Sequence, residues 1–412
     1  MPWKETGAMD ERLQFVGLSL TGEYSVAVLC REFGISRKTG SKWLGRYQAE
    51  GVEGLAEQSR APHHQARAVS ATIERRIVQL RSERPRHGPK KLRRLLELQD
   101  PEINWPAVST IGELLKRHGL VVPRRRSRKT PPYEQPLAGC DQANAVWSAD
   151  FKGWFMTGDR QRCDPLTISD NYSRYLLRCQ LVRPVNYETI KPVFVAAFQE
   201  FGLPQAIRTD NGVPFATTTV GGLSRLSIWW LRLGILPERI EPGKPQQNPR
   251  HERMHRTLKD YTATPPQSTW RRQQAAFDRF REEYNQERPH ESLGQCFPAD
   301  LYQPSPRPYP LLLPQMNYPD DMQLRSVKSQ GDISWKGRHV YLSETLAGEL
   351  VGLRQIAEDR WDIYCGPIRL AQLETLTPKL IHLKRSKPRK LNQADQRNQH
   401  SKKCYLCDRS KL

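Results

Sequence analysis

An aspartate in the middle of a strand-like alternation constrains the fold of this chain more than any other feature. Trp147, Ala149, Phe151 and Phe155 alternate with Ser148, Asp150 and Lys152, so one face of the segment reads as apolar and the other as polar. Aspartate is a poor strand former, and one flanked by Trp147 and Phe151 asks for a compensating interaction, which metal coordination would supply. The residues that follow predict a mixed α/β unit. Leu166 to Ser169 and Tyr175 to Val182 read as two strands about a turn at Asp170 and Asn171. A helix from Glu188 to Phe201, a strand from Ala206 to Thr209, a helix from about Gly222 to Leu233 and a last strand within Ile235 to Ile240 continue the pattern. Three consecutive strands and then alternating helices and strands predict a mixed sheet with helices on both sides. A long amphipathic helix from about Thr269 to Arg288 closes the unit.

The flanking segments have different periods. Val26, Leu29, Cys30 and Phe33 form the stripe of a short helix, Gly34 marks a turn, and Ser36 is placed to cap a second helix. On that helix Arg37, Lys38, Ser41 and Lys42 share one face while Trp43 and Leu44 turn inward, as in a helix-turn-helix with a basic recognition face; a plain helical hairpin is the alternative. A second helical unit spans Thr72 to Val122, with stripes at Ile73, Ile77 and Leu80, at Leu92, Leu95 and Leu96 after Gly88-Pro89, and at Leu114 and Leu115. Ser109 or Thr110 is the expected cap of its last helix and Gly119 its stop. Arg124, Arg125, Arg126, Arg128 and Lys129 follow. Short alternating runs between Val327 and Leu373 predict a small β-barrel or sandwich.

These readings divide the chain into a helix-turn-helix domain (1–60), a second helical DNA-binding domain (61–130), a linker (131–143), an α/β core (144–303), a proline-rich linker (304–323), a small β-barrel (324–380) and a basic, disordered tail (381–412). The 65 Lys and Arg against 44 Asp and Glu give a formal net charge of +21, which favours a polyanionic partner, nucleic acid first. Met1 to Asp10 has neither signal-peptide nor lipidation character, and the most apolar run, Leu226 to Leu236, is broken by Arg232. A cytoplasmic, nucleoid-associated protein is expected. Cys404 and Cys407 have metal-like spacing but no second pair to complete a zinc site, and the other six cysteines read as small core residues.

Each candidate acid has an ordinary explanation by itself. Asp150 could be a solvent-facing strand residue, Asp210 in Thr-Asp-Asn-Gly a turn former, and Glu252 a first-turn helix charge. Together they sit where two strand carboxylates and one helix carboxylate can converge on hard cations. Asp210 closes a strand, and Asn248 and Pro249 start a helix that carries Glu252 after the Pro242-Gly243-Lys244-Pro245 stretch. Mg²⁺ prefers such oxygen ligands and keeps open positions for water and phosphate oxygens. His251 and His255 are spaced i, i+4 but lack the His-Glu-x-x-His order of a zinc protease, which leaves DNA-backbone or structural roles.

The three segments Trp147 to Lys152, Arg208 to Gly212 and Gln246 to Arg253 resemble the acidic motifs of insertion-sequence DDE transposases and retroviral integrases. Tyr284 to His290, with Leu293-Gly294, resembles the end of their catalytic core. Two differences stand out: the 42 positions from Asp210 to Glu252 exceed the spacing in retroviral integrases, and Pro249 stands where a glycine is common. The resemblance implies an α/β RNase H-like catalytic core, with Asp150, Asp210 and Glu252 holding two Mg²⁺ ions, Mn²⁺ substituting. It also implies cleavage of DNA at an element's terminal inverted repeats, joining of the ends to target DNA, and a homo-oligomer on DNA. Arg256 and Lys259 share the helix face of Glu252 and match basic positions that approach DNA in retroviral integrases. A catalytically silent DNA-binding relative and a simple metal-dependent nuclease are the competing readings.

Overall fold

The computed structural model describes residues 7–58, 69–121, 139–217, 219–240, 249–374 and 379–382. They fall into two compact units, 1–70 and 71–412. The first holds α1 (Ala8–Leu20), α2 (Val26–Glu32) and α3 (Arg37–Glu50). Phe15, Val16, Leu29, Cys30, Trp43 and Leu55 form its core. The turn between α2 and α3 uses Gly34 at φ +62°, a conformation that glycine adopts without strain. The Ser36 hydroxyl then accepts the Thr39 N–H at 3.1 Å, satisfying one of the free donors at the start of α3. Gly40 is required for packing, since a Cβ there would come within 2.5 Å of Cys30 Sγ.

The second unit opens with α4 (Ala71–Glu83), α5 (Pro89–Gln99) and α6 (Val108–Arg117). They enclose Ile77, Leu80, Leu92, Leu96, Leu114 and Leu115 from the expected stripes together with Ile111, while Ile73 and Leu95 are only half-buried. Gly119 ends α6 at φ +68°. The start of α6 differs from expectation, because Ala107 rather than Ser109 or Thr110 occupies the cap position.

The central sheet contains β1 (Val146–Phe151), β2 (Phe155–Met156), β3 (Arg162–Asp170), β4 (Leu176–Val182), β5 (Ala206–Thr209) and β6 (Leu236–Arg239). β3 pairs antiparallel with β4 on one side and with β1 on the other, while β5 and β6 extend the sheet in parallel. One face buries Trp147, Ala149, Leu166 and Ile168 against α7 (Tyr187–Phe201) and α8 (Arg225–Arg232). On the other side, Cys163, Leu176, Cys179 and Leu181 pack against α9 (Pro249–Thr262) and α10 (Trp270–Gln286). Each fully buried large side chain in these layers contributes about 1.5–3 kcal/mol. The short α11 (Pro298–Leu301) follows. The expected single alternation from Trp147 to Phe155 is interrupted: Gly153 takes φ +84°, and Phe155 belongs to a separate strand paired with β3.

The proline-rich segment after α11 is docked onto this unit. Ser305 N–H donates to Phe201 O at 2.8 Å, and the Arg307 guanidinium donates to Pro204 O at 2.9 Å and Leu233 O at 2.8 Å. Beyond it lie β7 (Gln323–Ser326), β8 (Asp332–Trp335), β9 (Arg338–Tyr341), β10 (Leu350–Ala357), β11 (Arg360–Cys365), β12 (Ile368–Glu374) and β13 (Lys379–His382). The expected barrel is not formed among the described residues. The five-strand sheet runs β13-β12-β11-β10-β7 and is open, with β8 and β9 as a separate hairpin. Its apolar side is covered by the hairpin and by Val220, Leu223, Ile228 and Leu231, so burial is achieved without closing the sheet on itself.

Candidate functional site

Asp150 is the fifth residue of β1, and Asp210 directly follows β5, the parallel neighbour of β1. Both carboxylates therefore lie at the same end of adjacent strands. Asp210 Oδ1 accepts the Gly212 N–H at 3.1 Å, and a Cβ on Gly212 would come 3.0 Å from Asp210 Oδ2, so glycine leaves room for the acid. Asn211 anchors the same turn by donating to Ile240 O at 2.6 Å. Glu252 is exposed in the first turn of α9. The Asp150 carboxyl is pushed up to about 7, first by burial and then by the negative charges of Asp210 and Glu252, against the Phe151 N–H and Lys152. The charges of Asp210 and Glu252 are thus both felt at Asp150.

The helix carrying Glu252 is fastened to the sheet by two histidines. His251 and His255 are buried and sit one turn apart, and their Nε2 atoms lie 2.7 and 2.6 Å from the Thr167 hydroxyl. Thr167 is the antiparallel partner of Asp150, and its hydroxyl is 3.1 Å from Asp150 O. A hydroxyl has one proton and two lone pairs. If it donates to Asp150 O, it accepts from both Nε2–H groups, and both imidazoles are neutral Nε2–H tautomers. Burial agrees with this, lowering His251 to about 3 and His255 to about 2. His251 Nδ1 then accepts from the Ser169 hydroxyl at 3.1 Å, and His255 Nδ1 turns its lone pair towards Asp150 Oδ2 at 3.8 Å. These histidines are structural; their burial removes them from contact with a DNA backbone.

Carboxylate oxygens are the ligand type that a hard divalent cation takes, and the proton affinity of Asp150 is raised first by burial and then by Asp210 and Glu252. The group of three whose ligand atoms lie within 4.8 Å of one another among the described residues is Asp150, His251 and His255, without Asp210 or Glu252. The Nε2 atoms of both imidazoles are engaged by Thr167, and Nδ1 of His251 by Ser169. Thr167 and Ser169 were not singled out from sequence, although their i, i+2 spacing on the strand beside Asp150 matches the i, i+4 spacing of the two histidines.

The basic candidates are found on solvent-facing surfaces. Arg37, Lys38, Ser41 and Lys42 are exposed on α3, where Lys42 Nζ also lies 4.3 Å from the ring centre of the buried Trp43. Arg256 and Lys259 are exposed on α9 with Glu252. Arg124, Arg125 and Arg126, the stretch 241–248 with the expected cap Asn248, and Cys404 and Cys407 lie outside the described residues. Among the described residues no helix is long and apolar enough to cross a membrane.

Comparison with known proteins finds integrase core and helix-turn-helix domains in this chain. Two integrase core domain models match residues 141–245 and 233–298. A helix-turn-helix domain model matches 11–63, and a homeodomain-like domain model matches 39–115. An insertion element IS407 protein of Burkholderia multivorans is 28% identical over 58% of this chain and 82% of its own length. An insertion element IS476 protein of Xanthomonas euvesicatoria is 30% identical over 57% of this chain, which spans 65% of that protein. Among solved structures, the HTLV-2 integrase catalytic core domain in complex with magnesium aligns at 16% identity and a TM-score of 0.31, covering 40% of this chain and 99% of that one.

Proposed function

Because the chain is an insertion-element transposase with an integrase-like core and helix-turn-helix domains, we propose that it binds the terminal inverted repeats of its element, cleaves DNA strands there and joins the 3′-hydroxyl ends to target DNA. The observation that carries this reading is the placement of Asp150 and Asp210 at the same end of adjacent parallel strands, with the charge of Glu252 on α9 also acting on Asp150. In this reading the three carboxylates hold Mg²⁺, with Mn²⁺ able to substitute. A pair of such ions supplies activation of a water or DNA 3′-hydroxyl and stabilisation of the leaving oxygen in an in-line displacement.

The chain's own residues fix where this happens. β1 and β5 hold Asp150 and Asp210 on a rigid sheet, and Thr167 holds α9, and with it Glu252, through His251 and His255. Arg256 and Lys259 position the DNA backbone beside the acids, while Arg37, Lys38, Ser41 and Lys42 contribute to recognition of the ends. Arg124, Arg125 and Arg126 add phosphate contacts. The domain boundaries given by the sequence periods remain the proposed division of labour, with end binding in the N-terminal helical domains and chemistry in 144–303. The active species is a homo-oligomer on DNA that brings two ends together.

The test is incubation of the purified protein in Mg²⁺ with labelled duplexes carrying the element's ends and a plasmid target. Labelled ends covalently joined to the plasmid support the proposal. Cleavage without joining would replace it with a simple nuclease, and end binding without cleavage with a silent DNA-binding protein.

A further inference from the structure

A cationic cavity of about 660 Å³ lies where the second helical bundle meets the ends of α9 and α10. Arg86, Lys91, Arg174, Arg250, Arg253 and Arg288 line it. One carboxylate, Glu291, lines it with them, and that group is already bonded to Lys90. Five guanidinium groups and the Lys91 amine against one engaged anion is an arrangement that a folded chain maintains at a cost unless an anion arrives. Two polar atoms here are buried and have no hydrogen-bond partner among the described residues, an Nη of Arg174 and Nε2 of His290. Burial and the neighbouring Arg288 bring Lys91 down to about 7, in keeping with a shortage of negative charge.

We infer that this cavity is a phosphate-binding site that grips the backbone of duplex DNA at the joint between the second helical bundle and the catalytic core. Its volume is far beyond what a single small ion requires, since a water molecule in the liquid takes about 30 Å³. Its aromatic neighbours are not available for stacking on a base: Tyr284 is 6% exposed, and Arg86 and Arg288 lie over the ring of Tyr261 at 4.6 and 5.5 Å. A cluster of guanidinium groups suits the paired oxygens of phosphate, to which arginine donates two parallel hydrogen bonds.

The joint is already tied electrostatically, with Arg84 3.4 Å from Glu283 and also bonded to Glu287. Arg250 and Arg253 flank Glu252 on α9. A strand held in the cavity would therefore be fixed relative to the acids as well as to the helical bundle. The inference rests on the proposed function only in taking DNA as the polyanion.

The test uses the full-length protein and a fluorescein-labelled 40-base-pair duplex of arbitrary sequence, titrated at several KCl concentrations. Arg253→Gln, on an exposed residue that can be replaced without disturbing the core, and Arg174→Gln should each weaken binding about tenfold. Each should also lower the slope of log K against log[KCl] by about one. Arg174→Lys should restore the slope, which a purely structural role for Arg174 would not predict. Wild-type affinity and slope in Arg253→Gln would overturn the inference. So would unchanged DNA affinity in that variant together with loss of a tripolyphosphate-induced rise in Tm, which would assign the cavity to a small polyanion. No step of the assay needs cleavage or end sequence, so failure of the site and failure of the proposed chemistry give different results.

Discussion

Nε2 of His255 lies 2.6 Å from the hydroxyl of Thr167, the residue that pairs across the sheet with Asp150. The same hydroxyl meets His251, so one strand side chain sets the position of the helix that bears Glu252. Thr167→Val keeps the shape and removes the hydroxyl, leaving two buried imidazole N–H groups without an acceptor. We expect a loss of about 1–3 kcal/mol in urea unfolding and at least a tenfold fall in DNA cleavage, with duplex affinity unchanged. Thr167→Ser should recover most of both. Full activity in Thr167→Val would show that this contact does not position the acids.

Three buried histidines and the half-buried His290 give the fold a defined pH dependence. His87, His251 and His290 are lowered to about 3 and His255 to about 2, in each case chiefly by burial. Below the ordinary histidine value of 6.5 the unfolded chain takes up protons that the native chain does not, so their stabilisation is present above pH 6.5 and is lost as the pH falls. Each histidine contributes up to about 1.4 kcal/mol per pH unit in that window. The raised carboxyls of Asp150 and Asp170 act in the opposite sense but are fewer. The urea midpoint should therefore drop between pH 7.5 and 5.0, and His87→Asn should make the drop shallower by one proton. A midpoint that rises on acidification would contradict this.

The exposed face of α3 should behave as a phosphate and base reader. Arg37→Ala combined with Lys38→Ala removes two charges without touching the Trp43 core. Affinity for duplexes carrying the element ends should fall at least tenfold, and the salt slope should fall by about two. Preference for end DNA over random DNA should fall with it. Equal affinity for end DNA in the variant would mean that α3 does not read the ends.

On α9 the exposed Arg256 and Lys259 share a helix face with Glu252. Arg256→Ala and Lys259→Ala should raise the DNA concentration needed for half-maximal cleavage severalfold and leave the rate at saturation within about threefold of wild type. A collapse of the saturated rate with unchanged DNA requirement would move these residues from DNA positioning into the chemistry.

Much of this architecture is visible in the sequence because period and chemistry conflict at only a few positions. The alternation around Trp147 and the stripes at Leu92 and Leu96 correspond to real core faces, and Asp150 is conspicuous because strands disfavour aspartate. Gly153 was less legible: one glycine at positive φ divides an apparent single strand in two. The last β unit is open rather than a barrel because alternation specifies a covered face but not what covers it, and here α8 and a hairpin do so. The roles of His251 and His255 depend on Thr167, over 80 positions away. The cationic cavity is assembled from Arg86, Arg174, Arg253 and Arg288, which no sequence window brings together.

The most direct test of the account is a single cleavage-and-joining assay in Mg²⁺ and in Mn²⁺ with Asp150→Asn, Asp210→Asn, Glu252→Gln and Glu241→Gln, the last removing the alternative third acid, which precedes Pro242 in the sequence. Each is checked first for end binding and for Mn²⁺ binding by calorimetry. The account predicts that the first three lose both reactions by at least a thousandfold and bind Mn²⁺ more weakly, yet retain end binding, whereas Glu241→Gln remains active. Undiminished cleavage in Asp150→Asn or Asp210→Asn, or loss of activity in Glu241→Gln while Glu252→Gln stays active, would contradict the assignment of the three acids.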